Sequence, residues 1–222
     1  MNATKPAPSG PANPDGRTLR ALQLREQRRA HILEAAVEVF SHNGYHQTRI
    51  ADIIDAAGIA RGTFYLYFES KSAIFLELLG QLLKTLRTSV GKVDLTGTST
   101  PVRDQLLAAI ERILQVVAHN RALTTIVMRE AVGIDADVDE KLAGFYDSLH
   151  ALLLRSLSRG NAVGLIRTMD YEVVATCILG SVRQVLERDL VRNADKPFDV
   201  HRVAETILEY NTRGLLEPGL TF

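Results

Sequence analysis

Apolar residues recur at helical spacing along nearly the whole chain, and few segments alternate as strands would. Ile32, Leu33, Ala36, Val37 and Phe40 form one stripe and predict a long helix over 18–42, ended by Asn43-Gly44. Ile50, Ile53 and Ile54 form a second, short stripe just after Thr48, a natural N-cap for that helix. Ala56, Ala57 and Gly58 follow. Small side chains there let another helix cross closely, and Gly58 can adopt the left-handed backbone that ends a helix. Ile59 plugs the space between the two helices. The next helix starts near Arg61, turns Phe64 and Phe68 inward and leaves Arg61, Thr63, Tyr65 and Tyr67 on the outward face. A fourth helix over 70–90 carries a wide apolar face of Ile74, Phe75, Leu78, Leu79, Leu82, Leu83 and Leu86, and 91–101 reads as a loop. Five more helices are predicted over 102–118, 121–132, 138–159, 170–192 and 199–214, punctuated by Gly133, Gly160, Gly164 and Pro197. Their core stripes are Leu106, Ile110, Ile113 and Val117, then Val138, Leu142, Phe145, Leu149 and Leu152. The expected fold class is all-α.

The pair of short helices across the Gly58 turn has the layout of a helix-turn-helix, whose second helix enters the major groove of DNA. Gly62 and Thr63 keep the entering end narrow, and Arg61 can reach base edges or phosphates. Tyr65 would read or frame the groove. Thr48, Arg49 and Lys71, near helix starts where backbone N–H groups attract anions, and Tyr67, with a polar tip that can donate, would hold phosphates.

Charge sharpens this picture. The formal net charge is zero, yet Arg17, Arg20, Arg25, Arg28 and Arg29 face only Glu26 between 17 and 31, while the body carries acidic clusters at 135–140 and 187–189. One basic end would turn toward DNA, and the arginine-rich start of the first helix is either a solvated extension or an extra phosphate contact. Residues 1–16, rich in Pro, Ala, Asn and Gly, are expected to be a disordered tail. The chain has 222 residues, 46% of them hydrophobic, enough for one large core or two smaller ones. A single cysteine, Cys177, excludes an internal disulfide and a multi-thiolate zinc site, and its apolar helix suggests core filling. No uncharged apolar run reaches 18 residues and the N-terminus lacks an apolar signal core, so no membrane span and a cytoplasmic location are expected.

The stretch ILEAAVEVFSHNGYHQTRIADIIDAAGIARGTFYLYFESK resembles the tetracycline-repressor (TetR/AcrR) family of bacterial transcriptional regulators. The likeness lies in Phe40, Gly44-Tyr45 and Thr48, the Ala-Ala-Gly-Ile turn, Gly62-Thr63-Phe64-Tyr65, and Phe68 followed by Ser70-Lys71. Ala60 stands where the family usually has Ser, Ile54 where it has Ala, and Tyr67 where His is common. The resemblance implies an N-terminal three-helix DNA-binding domain (17–69) and a C-terminal helical domain for ligand binding and dimerisation (70–222), linked by the fourth helix. It implies double-stranded operator DNA as a partner and a homodimer formed through the last two long helices. Those helices carry Val173, Val174, Ile178, Val185, Ala204, Ile207 and Leu208, a surface too apolar to stay exposed, with Gly180-Ser181 allowing close contact. No cofactor and no membrane partner are implied.

Within the body, His119, Met128, Phe145, Tyr146, His150, Tyr171 and Cys177 are the polar, aromatic or sulfur groups among apolar faces, and so the candidate ligand contacts. Tyr146 and His150, four apart, could share one ligand atom. Taken singly, each reads better as a core or rim residue. No cluster of positive residues suggests a phosphorylated ligand, which leaves an apolar or amphipathic effector. No phosphate-cradling glycine loop, nucleophile elbow, metal constellation or other catalytic residue set stands out. The acidic run 135–140 lacks the Gly and Glu of a calcium loop and reads as a helix start. The main expectation is a ligand-responsive regulator, most often a repressor, binding a near-palindromic operator as a dimer. The alternative is an architectural DNA-binding protein without an effector, and a weaker third reading is an all-α enzyme using Tyr146 and His150.

Overall fold

In the computed structural model, the described residues are 16–89, 91, 93–94, 100–129, 133, 136–193 and 195–215. Of the expected tail over 1–16, residues 1–15 lie outside them and Gly16 begins the first helix, and part of the 91–101 loop also lies outside. Nine α-helices are described: α1 (Gly16–Asn43), α2 (Ile50–Ala56), α3 (Arg61–Tyr65), α4 (Lys71–Ser89), α5 (Val102–His119), α6 (Arg121–Arg129), α7 (Ala136–Ala162), α8 (Tyr171–Val185) and α9 (Val200–Leu215). Periodicity thus located each helix to within a few residues. Two details differ. Gly160 does not break α7. It is buried inside the helix, where an added Cβ would lie 2.6 Å from Ile166 Cδ1, and the turn falls at Gly164 with φ +74°. The α8 segment also does not run to 192 as an α-helix. From Leu186 to Arg192 it widens to a π-helix, and Arg121 of α6 donates to the Leu190 carbonyl at 2.8 Å and the Asn193 carbonyl at 3.2 Å.

Two apolar cores hold the helices together. The larger starts in the N-terminal helices, with Ile32, Ala36, Phe40, Tyr45, Ile53, Phe64 and Phe68. It continues without interruption through Ile74, Phe75 and Leu79 of α4 to Leu123 and Ile126 of α6 and Val138, Leu142 and Phe145 of α7. The smaller joins Leu114 of α5 to Val203, Ala204 and Ile207 of α9. Here an expectation is corrected. Ala204, Ile207 and Leu208 are not left for a partner: all three are buried within the chain, Ala204 and Ile207 against α5. Cys177 is exposed instead of filling a core, as are Val173 on α8 and Tyr210 on α9. The stripe along α8 points away from its own chain at these positions.

Polar contacts tie the same helices. Arg103 pairs with Glu205 at 3.0 Å between α5 and α9, and His201 Nδ1 sits 2.6 Å from Glu111 Oε1. That hydrogen bond to Glu111 raises the His201 pKa above its ordinary value of 6.5. A raised folded pKa means that the contact stabilises fully below about pH 6.5 and loses its effect as pH climbs through the raised value. The melting temperature of His201→Gln, subtracted from that of the wild type, should therefore show a gap at pH 5.5–6 that closes toward pH 8.5. A gap independent of pH would mean that the pair does not form in solution.

Candidate nucleic-acid interface

Packing at the end of α1 and around α3 sets the geometry of the exposed face. Phe64 and Phe68 are buried and anchor α3 from below. Gly58, at φ +60°, makes the turn between α2 and α3. His31 Nε2 lies 3.0 Å from the Ala57 carbonyl oxygen, so α1 holds the end of α2. Ala60 precedes α3 without a side-chain cap, as the sequence suggested. A Ser there would add about 1 kcal/mol. Buried phenylalanines replace that missing cap as the main hold on a helix only five residues long.

The outward side of α3 carries Arg61, Gly62 and Tyr65, all exposed, and Thr63, half-buried. The Arg61 guanidinium lies 5.9 Å from the centre of the Tyr65 ring, a cation–π distance that orients both side chains. The Tyr65 ring stands edge-on to Phe64, with centroids 5.3 Å apart. Arg49 is exposed at the first turn of α2, where its N–H donates to Asp52 at 2.7 Å. Tyr67 is half-buried at the far edge. Arg61, Gly62 and Tyr65 are thus open on α3, and Arg49 is open at the start of α2.

Thr48, Lys71 and Arg29 make contacts within the chain that the sequence did not assign. Thr48 is 3% exposed and its hydroxyl donates to the Gly44 carbonyl at 2.7 Å, and the residue at the N-cap of α2 is Arg49. The expected Thr48 cap is therefore not formed, because the chain reverses one residue later and buries the side chain. Lys71 Nζ donates to the carbonyls of Tyr45 (2.7 Å), Thr48 (2.9 Å) and His46 (3.3 Å), and lies 4.3 Å from the Tyr45 ring centre. It fastens the start of α4 to the loop before α2. Arg29, one of the basic residues read as a phosphate contact or solvated charge, forms an ion pair with Glu77 of α4. It also donates to the Tyr67 carbonyl at 3.3 Å and lies over the Phe68 ring at 4.6 Å. It locks α1 and α4 onto the end of α3. Between 18 and 28 every residue of α1 is exposed, including Arg20, Arg25 and Arg28.

The structure does not gather the body's candidate ligand contacts. His119 borders a 240 Å³ cavity between α1, α4 and the α5–α6 turn, with Val37, Leu78 and Leu82. Phe145 lines a separate 420 Å³ groove between α4 and α7, with Leu149, Leu152, Arg87 and Arg155. Met128, Tyr146, His150, Tyr171 and Cys177 line neither. Tyr146 is exposed, and His150 Nε2 faces α8, 3.2 Å from the Glu172 carbonyl oxygen and 3.3 Å from Thr176 Oγ1. The two therefore do not converge on one site. The sequence also missed the positive charge: Arg87 and Arg155 stand 68 residues apart and line the same groove only when α4 and α7 pack. Among the described residues no group of acids, histidines or cysteines could hold a metal, and no helix is long and apolar enough to cross a membrane.

A helix-turn-helix with its second helix bare on one side, continuous with an all-helical body, defines the class of helix-turn-helix DNA-binding proteins. Comparison with known proteins makes this specific. The model of bacterial regulatory proteins of the tetR family matches residues 32–78, and that of the tetracyclin repressor-like C-terminal domain matches 99–187. The fatty acid metabolism regulator protein of Bacillus subtilis is 25% identical over 83% of this chain and 93% of that protein. The HTH-type transcriptional activator FasR of Mycolicibacterium smegmatis is 26% identical over 96% and 94%. The crystal structure of a putative TetR-family regulator from Syntrophomonas wolfei superposes with a TM-score of 0.66 at 26% identity, over 84% of this chain and 94% of the other. The chain belongs to the TetR family. It is a DNA-binding transcriptional regulator, in a family of regulators rather than enzymes.

Proposed function

We propose that the protein is a dimeric repressor that binds a near-palindromic operator and is released by an amphipathic effector. The observation that carries the DNA-binding part is the bare outward side of α3, with Arg61, Gly62 and Tyr65 held clear of the core by Phe64 and Phe68. Arg61, Thr63 and Tyr65 read or frame the groove, and Gly62 lets the backbone approach. Arg49 and Tyr67 hold phosphates on either side. Thr48 and Lys71 act one step back, setting the loop that carries Arg49. Residues 17–69 form the DNA-binding unit and 70–222 the effector and dimer unit, with α4 shared between them. The α8 and α9 surfaces of two chains pair through the open positions Val173, Cys177 and Tyr210. That would set the two recognition helices one DNA turn apart, about 34–36 Å.

For the effector, the α4–α7 groove is the best candidate. Phe145, Leu149 and Leu152 suit an apolar chain, and Arg87 and Arg155 suit an anionic head. A relative concerned with fatty acid metabolism is consistent with such a molecule. The effector releases DNA only if it binds the DNA-incompetent state more tightly than the competent one. A long-chain acyl-CoA should displace the operator from the wild type, and at least tenfold more of it should be needed for Arg155→Gln. Equal potency on both proteins would move the effector elsewhere.

The deciding experiment is titration of DNA from the protein's own upstream region beside a scrambled duplex at several salt concentrations. Selective, salt-sensitive binding supports the reading. Equal binding to both favours the architectural alternative, and no binding at low salt removes the helix-turn-helix function. The exposed start of α1 adds a prediction to the same titration. Arg29 touches Tyr67 at the edge of the recognition face. Arg28 and Arg25 follow within about one helical turn. Replacing Arg20, Arg25 and Arg28 by Gln should lower the slope of log affinity against log salt by about 2–3, with melting unchanged. An unaltered slope would assign these arginines to solvent alone.

A further inference from the structure

Leu66 is the large apolar residue that the outward reading of α3 overlooked. It is 73% exposed, tied with Tyr210 as the most exposed large hydrophobic side chain among the described residues. Its backbone is still right-handed helical, with φ −74° and ψ −17°, and the Phe68 N–H bonds back to the Phe64 carbonyl at 3.1 Å across it. At about 100° per residue, Leu66 therefore points about 160° away from both Phe64 and Phe68. Those two rings are the buried anchors, so Leu66, the C-cap residue of α3, lies on the side opposite the core. Gly62, four residues earlier, shares that side, and a Cβ added there would meet nothing within 4 Å. The neighbours on the exposed flank are Arg61 and Tyr65, already polar or amphipathic partners for a groove.

A leucine at the outermost point of a groove-entering helix gains nothing from phosphates. The apolar group that the major groove floor offers is the C5-methyl of thymine. We propose that Leu66 is a specificity-determining residue that selects thymine by packing on this methyl group, with Gly62 letting the helix come close enough for contact. The inference rests on the DNA-binding reading above and adds a base preference to it.

The test uses the full-length protein. Half-sites are first selected from a pool of random duplexes, and each thymine in the selected operator is then replaced singly by deoxyuridine, which removes the methyl and leaves the hydrogen-bonding pattern intact. At one or two positions per half-site the replacement should weaken wild-type binding about fourfold, the worth of one methyl buried against carbon. Leu66→Ala should bind the original operator correspondingly less well and be indifferent to the same replacement. Its melting temperature should match the wild type, because the side chain it loses is in water. Leu66→Gln should shift the selected base at that position from thymine toward adenine. A selected operator whose thymines all tolerate uracil, a loss of equal size in wild type and Leu66→Ala, or a half-site without thymine would overturn the role of Leu66 while leaving a selective DNA-binding protein. Failure to select any sequence would overturn the regulator reading and this inference with it.

Discussion

Tyr65→Ala is expected to weaken operator binding about ten- to hundredfold while the protein melts as before. Two separate losses produce the effect. The ring itself leaves the exposed face, where it is 46% accessible. Arg61 also loses the surface 5.9 Å beneath its guanidinium, so its fork is no longer oriented before DNA arrives and the ordering cost falls on binding. Stability should barely move, since alanine is the better helix former and the ring's buried contact is one edge against Phe64. Tyr65→Phe, which keeps the ring and the surface beneath Arg61, separates the ring from the hydroxyl. If it binds as the wild type does, the ring carries the effect, and if it binds as poorly as Tyr65→Ala, the hydroxyl does. A folded Tyr65→Ala with wild-type operator affinity would take this residue out of the interface.

Lys71→Met should have the largest effect on stability among the interface residues, a loss of about 2–3 kcal/mol and a melting temperature lower by roughly 5–10 °C. Methionine keeps most of the stem but offers no donors to the carbonyls of Tyr45, His46 and Thr48. The half-buried carbonyls lose a charged partner, and the Tyr45 ring loses the ammonium at 4.3 Å. Operator affinity should fall as well, because the same loop leads into Arg49 and α2. Lys71→Arg should recover only part of the stability: a flat guanidinium does not direct its N–H groups to three carbonyls around a point as an ammonium does. Scanning calorimetry distinguishes this from the sequence-based role. A variant that melts normally but loses salt-dependent DNA affinity would restore Lys71 as a phosphate ligand.

Lys71 and Thr48 show why the candidate interface was only partly legible. Residue type and position near a helix start suggested phosphate contacts for both. Whether a lysine faces DNA or its own backbone depends on where carbonyls 23 to 26 residues away are placed, and no local pattern encodes that. Arg29 was read as solvated charge or a phosphate contact for the same reason, since its partners Glu77, Tyr67 and Phe68 arrive from 38 to 48 residues further along. Leu66 was missed differently. Listing every second residue as outward follows a strand's period, whereas the helical period puts Leu66 opposite Phe64 and Phe68.

The sequence by itself determined the helices, the glycine turn at Gly58, the buried Phe64 and Phe68, and hence the helix-turn-helix and its family. These depend on periodicity, backbone freedom and short-range spacing, all local properties of the chain. Tertiary structure alone decided that α5 covers Ala204 and Ile207, that Cys177 is exposed, and that Arg87 and Arg155 line one groove with Phe145. It also decided that the proposed ligand residues do not converge. An amphipathic helix specifies that one face will be buried, but its partner, and the polar groups brought together at the seam, follow from how distant helices pack.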